Sequence, residues 1–190
     1  MAKERKPRDW KTLSERLILS HRVGEVYERR AQHPDGRLGS FFILKSSDWV
    51  QAIALTTQNE LVLVRQFRMG SRTVCLETPG GILEPGEDPV MGARRELLEE
   101  TGFVGRHPVL LAQCYPNPAL QTNRLHYVLL TECEPTGKTC WDPEEELETV
   151  CVPLSRLESL IQKKAFEHVV TLGGLFFLRR YLSCPAKEKG

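Results

Sequence analysis

Three glutamates stand where a helix should reject them, and this constrains the chain more than any other feature of it. The stretch from Asp88 to Gly102 carries helix signals at both ends. Asp88 is a good N-cap, Pro89 suits the first helical position, and Gly102 can close the helix in the left-handed conformation. Between them Val90, Ala93 and Leu97 recur at i, i+3 and i+7, which makes one apolar face. Glu96, Glu99 and Glu100 are related by i, i+3 and i+4, so their like charges share another face and repel. Glu99 and Glu100 also occupy the last turn, where the helix dipole favours cations. Local rules broken twice within five residues point to a compensating function. A hard divalent cation would compensate, because carboxylate oxygens suit Mg2+ or Mn2+. The preceding Gly80-Gly81 lets backbone come close to such a metal or to a phosphate. Taken alone, the three glutamates have a second reading, a solvated acidic helix face.

Around this helix the chain alternates short extended runs and turns. Leu17 to Leu44 reads as extended pieces about the turn His33-Pro34-Asp35-Gly36. Trp49 to Thr56 and Glu60 to Phe67 are rich in Val, Ile and Leu and flank Gln58-Asn59, which predicts a hairpin. Thr73 to Glu77, Val109 to Cys114, Leu125 to Thr131 and Glu148 to Val152 read as further strands. Leu154 to Lys164 and Glu167 to Leu182 read as helices. Strands, a central helix, more strands and terminal helices predict an α+β sandwich. At 190 residues with 41% hydrophobic content, the chain suits one compact domain with a short appended arm.

Lys plus Arg number 26 against 25 Asp plus Glu, so the net charge is +1. That balance argues against nucleic acid as a partner. The longest apolar candidate, Val169 to Tyr181, is interrupted by Gly173, Gly174, Arg179 and Arg180, so no membrane span is expected. Met1 to Arg8 is basic but leads into no apolar run, which predicts no secretory signal. The six cysteines include no C-x-x-C pair, which suits reduced thiols and a cytoplasmic location.

The longer spacing narrows the reading of the acidic helix. From Gly81, five residues lead to Glu87 and seven more to Arg95-Glu96. Then follow Leu97, Leu98, Glu99-Glu100, Thr101, Gly102 and the apolar Phe103. This pattern resembles the Nudix hydrolase signature at every fixed position, and the wider resemblance runs from about Trp49 to about Leu182. The resemblance implies a Nudix-type α/β/α sandwich at 49–182, with an N-terminal β-rich arm at 1–48 and a polar tail at 183–190. It implies hydrolysis of a nucleoside diphosphate linked to another moiety, with Mg2+ as cofactor and Mn2+ as its substitute. Glu96 and Glu100 would be the main metal ligands, Glu99 an additional or water-mediated one, and the Gly80 carbonyl a further contributor. Arg95 would orient Glu87 and the helix through an ion pair. In relatives that cleave ADP-ribose, a glutamate on a loop after the box activates water. Here Asp142-Pro143-Glu144-Glu145-Glu146 lies in that region, and the following strand favours Glu145, with Glu144 and Glu146 as alternatives.

Flanking residues bear on the substrate. Leu63-Val64-Arg65-Gln66-Phe67-Arg68 and Leu76-Glu77-Thr78-Pro79-Gly80-Gly81 resemble the branch that cleaves ADP-ribose and other nucleoside diphosphate sugars. Arg65 and Arg68 are candidates to bind the diphosphate, since guanidinium pairs with phosphate bidentately. Relatives often carry a Ser-Pro-Gly-like turn after the box. This chain has Tyr115-Pro116-Asn117-Pro118-Ala119 instead, which leaves GDP-mannose and UDP-sugars open beside ADP-ribose. Asn117, Gln121, Asn123 and Arg124 are candidates to read a base or sugar, and a well-formed turn is the other role for Asn117. In this branch the N-terminal arm often packs on, or swaps with, a second subunit, so a homodimer is expected. Trp10, Phe41, Phe42 and Trp49 would give it buried area or a stacking face. Two other functions compete: a house-cleaning hydrolase of modified nucleoside triphosphates, and a ligand-sensing Nudix domain without catalysis. The proline-rich loop and the arm argue against the first, and the intact box against the second.

Overall fold

The computed structural model describes residues 6–137, 139–141 and 146–184. Its elements run β1 (Lys11–His21), β2 (Gly24–Gln32), β3 (Leu38–Lys45), β4 (Trp49–Thr56), β5 (Glu60–Arg68), β6 (Thr73–Glu77), β7 (Gly80–Ile82) and α1 (Pro89–Thr101). There follow β8 (Phe103–Cys114), β9 (Leu125–Pro135), β10 (Leu147–Pro153), α2 (Leu154–Gln162) and α3 (Val169–Ser183). The chain divides into two compact units, one of residues 1–47 and 115–123, the other of 48–114 and 124–190.

The larger unit is built on a mixed seven-stranded sheet of order β10-β5-β4-β9-β8, with β6 paired to β5 and β7 to β4. Its middle strand, β4, is buried at seven of eight positions. A strand covered on both faces is mostly apolar, which is why Val50-Gln51-Ala52-Ile53-Ala54-Leu55 lacks the usual polar alternation and carries Gln51 as its one polar residue. One face of β4 carries Val50, Ala52 and Ala54, which pack with Leu83, Ala93 and Leu97 beneath α1. The other carries Ile53 and Leu55, which pack with Leu157, Val170, Leu175 and Leu178 of α2 and α3. The result is helix, sheet, helix, the expected α+β sandwich. No helix among the described residues is long and apolar enough to cross a membrane.

The hairpin read from Gln58-Asn59 is present but brief. Only Ala54–Val62 and Leu55–Leu61 are register partners of β4 and β5. Further toward the start of β4, the same edge takes β7 instead, through Trp49–Ile82, Val50–Gly81 and Gln51–Gly80. No strand is expected from the sequence between Glu77 and the helix, so this short strand at Gly80–Ile82 is a correction. Glycine has no strand propensity, and tertiary pairing supplies what propensity lacks. β8 begins at Phe103, well before the expected Val109, and carries register shifts that let it bend.

The smaller unit is an antiparallel sheet of order β1-β2-β3. Leu44 forms a parallel bridge to Gln121, and this joins the 115–123 segment to the sheet. β1 begins at Lys11, before the expected Leu17, and all eleven of its residues are exposed. Trp10 packs edge-on against Phe41, with ring centroids 5.2 Å apart.

Candidate active site

Helix α1 presents the acidic cluster, and its ends form as the residues dictate. The Asp88 side chain accepts from the backbone N–H of Val90 at 2.9 Å and of Met91 at 3.3 Å. Gly102 adopts φ 72° and its N–H returns to the Leu98 carbonyl. Ala93 and Leu97 face the sheet and leave Glu96 and Glu100 toward the β7 side.

Arg95 organises the acidic residues. Its Nε and Nη2 donate to the two oxygens of Glu87 at 2.9 and 2.8 Å. Its Nη1 donates to Glu96 Oε1 at 2.8 Å and to Glu99 Oε2 at 3.1 Å, and Nη2 also reaches the Ile82 carbonyl. One guanidinium thus spans three carboxylates, and the repulsion expected within α1 is offset by a cation on the same helix. The fork from Arg95 holds the Glu87 carboxyl below the usual carboxylate range. The Glu87 carboxylate in return raises the Arg95 pKa above its ordinary value.

The glycines complete the arrangement. The Gly80 N–H donates to Glu100 Oε2 at 3.1 Å, and Glu100 is buried. A methyl group built on Gly81 would lie 2.4 Å from Glu96 Oε1. The Glu96 carboxylate therefore occupies the space that any larger residue at position 81 would fill. Among the described residues no three acidic, histidine or cysteine side chains form a closed metal cage. Mg2+ does not need one, since it commonly takes one or two carboxylates and draws its other ligands from water and phosphate. The Glu96 and Glu100 carboxylates, brought together against the Gly80-Gly81 backbone, fit that donor set.

The other candidates are distributed unevenly. Arg68, on β5, donates from Nε and Nη2 to Glu77 at 3.0 and 2.8 Å. Arg65, three residues earlier, pairs with Glu148 of β10 at 2.8 Å on an exposed part of the sheet. Arg124 donates its backbone N–H to Asp48 Oδ1 at 2.7 Å. Asn117 belongs to the smaller unit, where its carbonyl accepts from Leu120 and Gln121 in a turn. Asn123, in the same segment, is buried with neither amide atom hydrogen-bonded. Glu144 and Glu145 lie outside the described residues, and Glu146 is exposed. The chain before them is pinned to the acidic helix, since Cys140 N–H donates to the Glu99 carbonyl and Trp141 Nε1 to the Glu100 carbonyl, each at 2.9 Å. Just beyond Glu146, β10 pairs with β5 at Leu147–Gln66.

Sequence reasoning missed two polar features. His168 Nδ1 lies 2.6 Å from Glu77 Oε2, and Glu77 is wholly buried. Burial disfavours the Glu77 charge, but the hydrogen bonds from His168 and Arg68 outweigh it and bring the carboxyl down to about 2. Gln51 Oε1 accepts from the Thr78 hydroxyl, and the Thr78 N–H reaches Thr171 of α3 at 3.4 Å. A lone histidine and a mid-strand glutamine carry no motif.

An α+β sandwich that sets a glycine pair against a glutamate-bearing helix organised by an arginine defines a metal-dependent class of hydrolase. The NUDIX domain family matches residues 48–171, so the chain belongs to the Nudix hydrolases, enzymes that use divalent metal ions. It is 28% identical over 170 residues to the ADP-ribose pyrophosphatase of Bacillus subtilis, covering 89% of this chain and 92% of that one. It is 35% identical over 133 residues to the ADP-sugar pyrophosphatase of Mus musculus, covering 61% of this chain and 59% of that one. A solved structure described as an ADP compounds hydrolase superposes with a TM-score of 0.84 at 20% identity, covering 98% of this chain and all of that one.

Proposed function

We propose that this enzyme hydrolyses the pyrophosphate bond of a nucleoside diphosphate sugar, with ADP-ribose the first substrate to test and Mg2+ the working metal. The observation that carries the reading is the pairing of two environments in one unit. Glu96 and Glu100 meet the Gly80-Gly81 backbone, and Arg68 is forked onto Glu77, three residues before Gly80. The names of the relatives support the choice of a nucleotide sugar.

A bound divalent cation supplies charge neutralisation on the diphosphate and acidifies a water. The chain's own residues do the remainder. Glu96 and Glu100 hold the metal, Glu99 assists, and the Gly80 carbonyl is a further ligand. Arg95 and Glu87 keep Glu96 and Glu99 in place, so the carboxylates need no rearrangement when substrate arrives. Such preorganisation provides most of the rate in phosphoryl chemistry. Arg68 binds the diphosphate. Arg65 and Arg124 have lesser claims, since Arg65 is engaged with Glu148. Glu145 takes the proton of the attacking water, and Cys140 and Trp141 anchor the chain leading to it.

Residues 1–48 act as a dimerisation arm in a cytoplasmic homodimer. Leu13, Leu17, Ile18 and Leu19 of β1 are exposed, as are Phe41 and Phe42 of β3, an apolar surface suited to a second copy.

The products test the chemistry. Hydrolysis of ADP-ribose in 18O-water should release AMP and ribose phosphate, with label on one of the two phosphates and no inorganic phosphate. Nucleoside diphosphate with labelled free sugar would exclude it. Preference for 8-oxo-dGTP over every nucleotide sugar would favour the triphosphate reading instead.

A further inference from the structure

His168 is the N-cap residue of α3, yet its side chain makes no capping hydrogen bond. It turns instead to Glu77, with Nδ1 2.6 Å from Oε2. An ionised carboxylate only accepts, so Nδ1 carries the hydrogen and donates it. The same Oε2 accepts from Arg68 Nη2 at 2.8 Å, and Oε1 accepts from Arg68 Nε at 3.0 Å. Glu77 has no exposed surface, whereas the Arg68 side chain is 40% exposed. The buried carboxylate therefore lies between a histidine on one helix and an arginine that opens to solvent. Arginine has five N–H donors in a rigid plane, and Glu77 takes two of them. The remaining donors can serve a ligand, and their direction is set by the plane that Glu77 imposes. Thr171, one turn further along α3, receives the Thr78 N–H at 3.4 Å. The first turn of α3 thus grips two consecutive residues that lead into Gly80.

We propose that His168 is a positioning residue for substrate binding: by fixing the Glu77 carboxylate it sets the plane of the Arg68 guanidinium, whose free N–H groups then meet the diphosphate. The proposal rests on the reading of Arg68 as a diphosphate contact. Without the histidine bond, Glu77 keeps Arg68 as its partner but loses the third point that stops the pair from rocking. Binding suffers, while the carboxylates of α1 are untouched.

The test is a kinetic cycle with ADP-ribose at saturating Mg2+, using His168→Asn, His168→Gln, Arg68→Ala and the double variant Arg68→Ala/His168→Gln. The Asn amide nitrogen occupies the place of Nδ1 and preserves the donor. The Gln nitrogen falls at the Nε2 position and does not. Both side chains are polar and close to histidine in size, so folding is kept. His168→Gln should raise KM about tenfold, the consequence of weakening one charge-assisted bond, with kcat within about twofold. His168→Asn should stay within about threefold of the parent KM, on the same scale of bond energies. In the Arg68→Ala background the Gln substitution should add nothing. Equal KM for the Asn and Gln variants would overturn the proposal, as would an undiminished Gln effect when Arg68 is absent. A merely structural role would lower the melting temperature and kcat without a split in KM, which also overturns it. If Arg68→Ala leaves KM unchanged, the diphosphate reading itself fails, and that outcome is separate from any failure at His168.

Discussion

Replacing Gly81 by alanine should abolish most activity while leaving the fold in place. The added methyl would sit 2.4 Å from Glu96 Oε1, 2.7 Å from its Cδ and 2.8 Å from Oε2. Ordinary contact begins near 3.4 Å, so the carboxylate must retreat by about 1 Å. It is the far end of a flexible side chain, and the backbone at Gly81 is not left-handed. The fold therefore loses little. The entropy gained by an alanine in the unfolded reference state, ~0.4–1 kcal/mol, offsets part of the crowding. The ligand geometry has no such latitude. Mg2+ requires oxygen at about 2.0–2.1 Å in near-octahedral array. A misplacement of about 1 Å near the reacting centre costs on the order of 10²-fold in rate, or ~2.7 kcal/mol. The retreat also breaks the 2.8 Å bond from Arg95 Nη1. The expected kcat/KM is therefore roughly 10²–10³-fold lower, with melting within a few degrees of the parent. Gly80→Ala is the contrast. Its methyl would lie 2.2 Å from the Val50 carbonyl, which is backbone and cannot swing away, so ~2–3 kcal/mol of stability should be lost. Steady-state hydrolysis across a Mg2+ titration, beside thermal unfolding without metal, reads both quantities. A Gly81→Ala enzyme with parental kcat/KM would show that the Glu96 carboxylate has no part in the site.

Glu100→Gln should fold normally and lose about 10³-fold or more in turnover, because the amide keeps the shape but not the charge that holds the metal. Near-parental turnover at saturating Mg2+ would refute that role. Glu145→Gln should lower kcat by ~10²–10⁴-fold with little change in Mg2+ affinity, whereas Glu144→Gln and Glu146→Gln should not. If all three variants retain activity, the proton acceptor lies elsewhere. Glu77 makes stability depend on pH in acid. Its carboxyl is lowered from 4.5 to about 2, so the folded state binds this proton less readily than the unfolded state. The contribution, roughly 3 kcal/mol, is whole above about pH 4.5 and is lost as pH falls toward 2. Denaturant unfolding of the parent and of Glu77→Gln from pH 6 to pH 2.5 measures it, and parallel pH profiles would dismiss the assignment.

The parts of this enzyme legible in its sequence are those with local causes. Asp88, Pro89 and Gly102 fix the ends of α1 through their own backbone chemistry, and the structure places Pro89–Thr101 between them. The limits of β4 and β6 follow from apolar runs bounded by turns. The conflict among Glu96, Glu99 and Glu100 marked the acidic cluster before any geometry was known. What stayed hidden depends on partners distant in the chain. β7 is a strand because β4 pairs with it, not because Gly80 and Gly81 favour extension. Glu148 engages Arg65 across 83 residues of sequence, and His168 engages Glu77 across 91. No local pattern foretells such pairs. The start of β1, before Leu17, lacked a signal for another reason, since a strand exposed along its whole length has no buried face to impose alternation on its residues.

The parallel pairing of β4 with β9 also sets the order in which the molecule can be made. It joins Trp49 to Leu125, and all of β7 and α1 lie in the chain between them. Val128, Leu130 and Cys133 of β9 form part of the floor beneath α1. On the ribosome, the acidic helix is therefore synthesised before the surface it rests on. At ~5–20 residues per second, roughly 2–6 s separate Thr101 from Cys133. During that interval the apolar side of α1 has β4, Val62, Leu83 and Phe103 against it, but none of the β9 side chains. Pairings between distant strands form slowly. The carboxylates of α1 should therefore reach their final spacing among the last events of folding, and a nascent chain halted before Leu125 should carry the whole signature yet hydrolyse nothing.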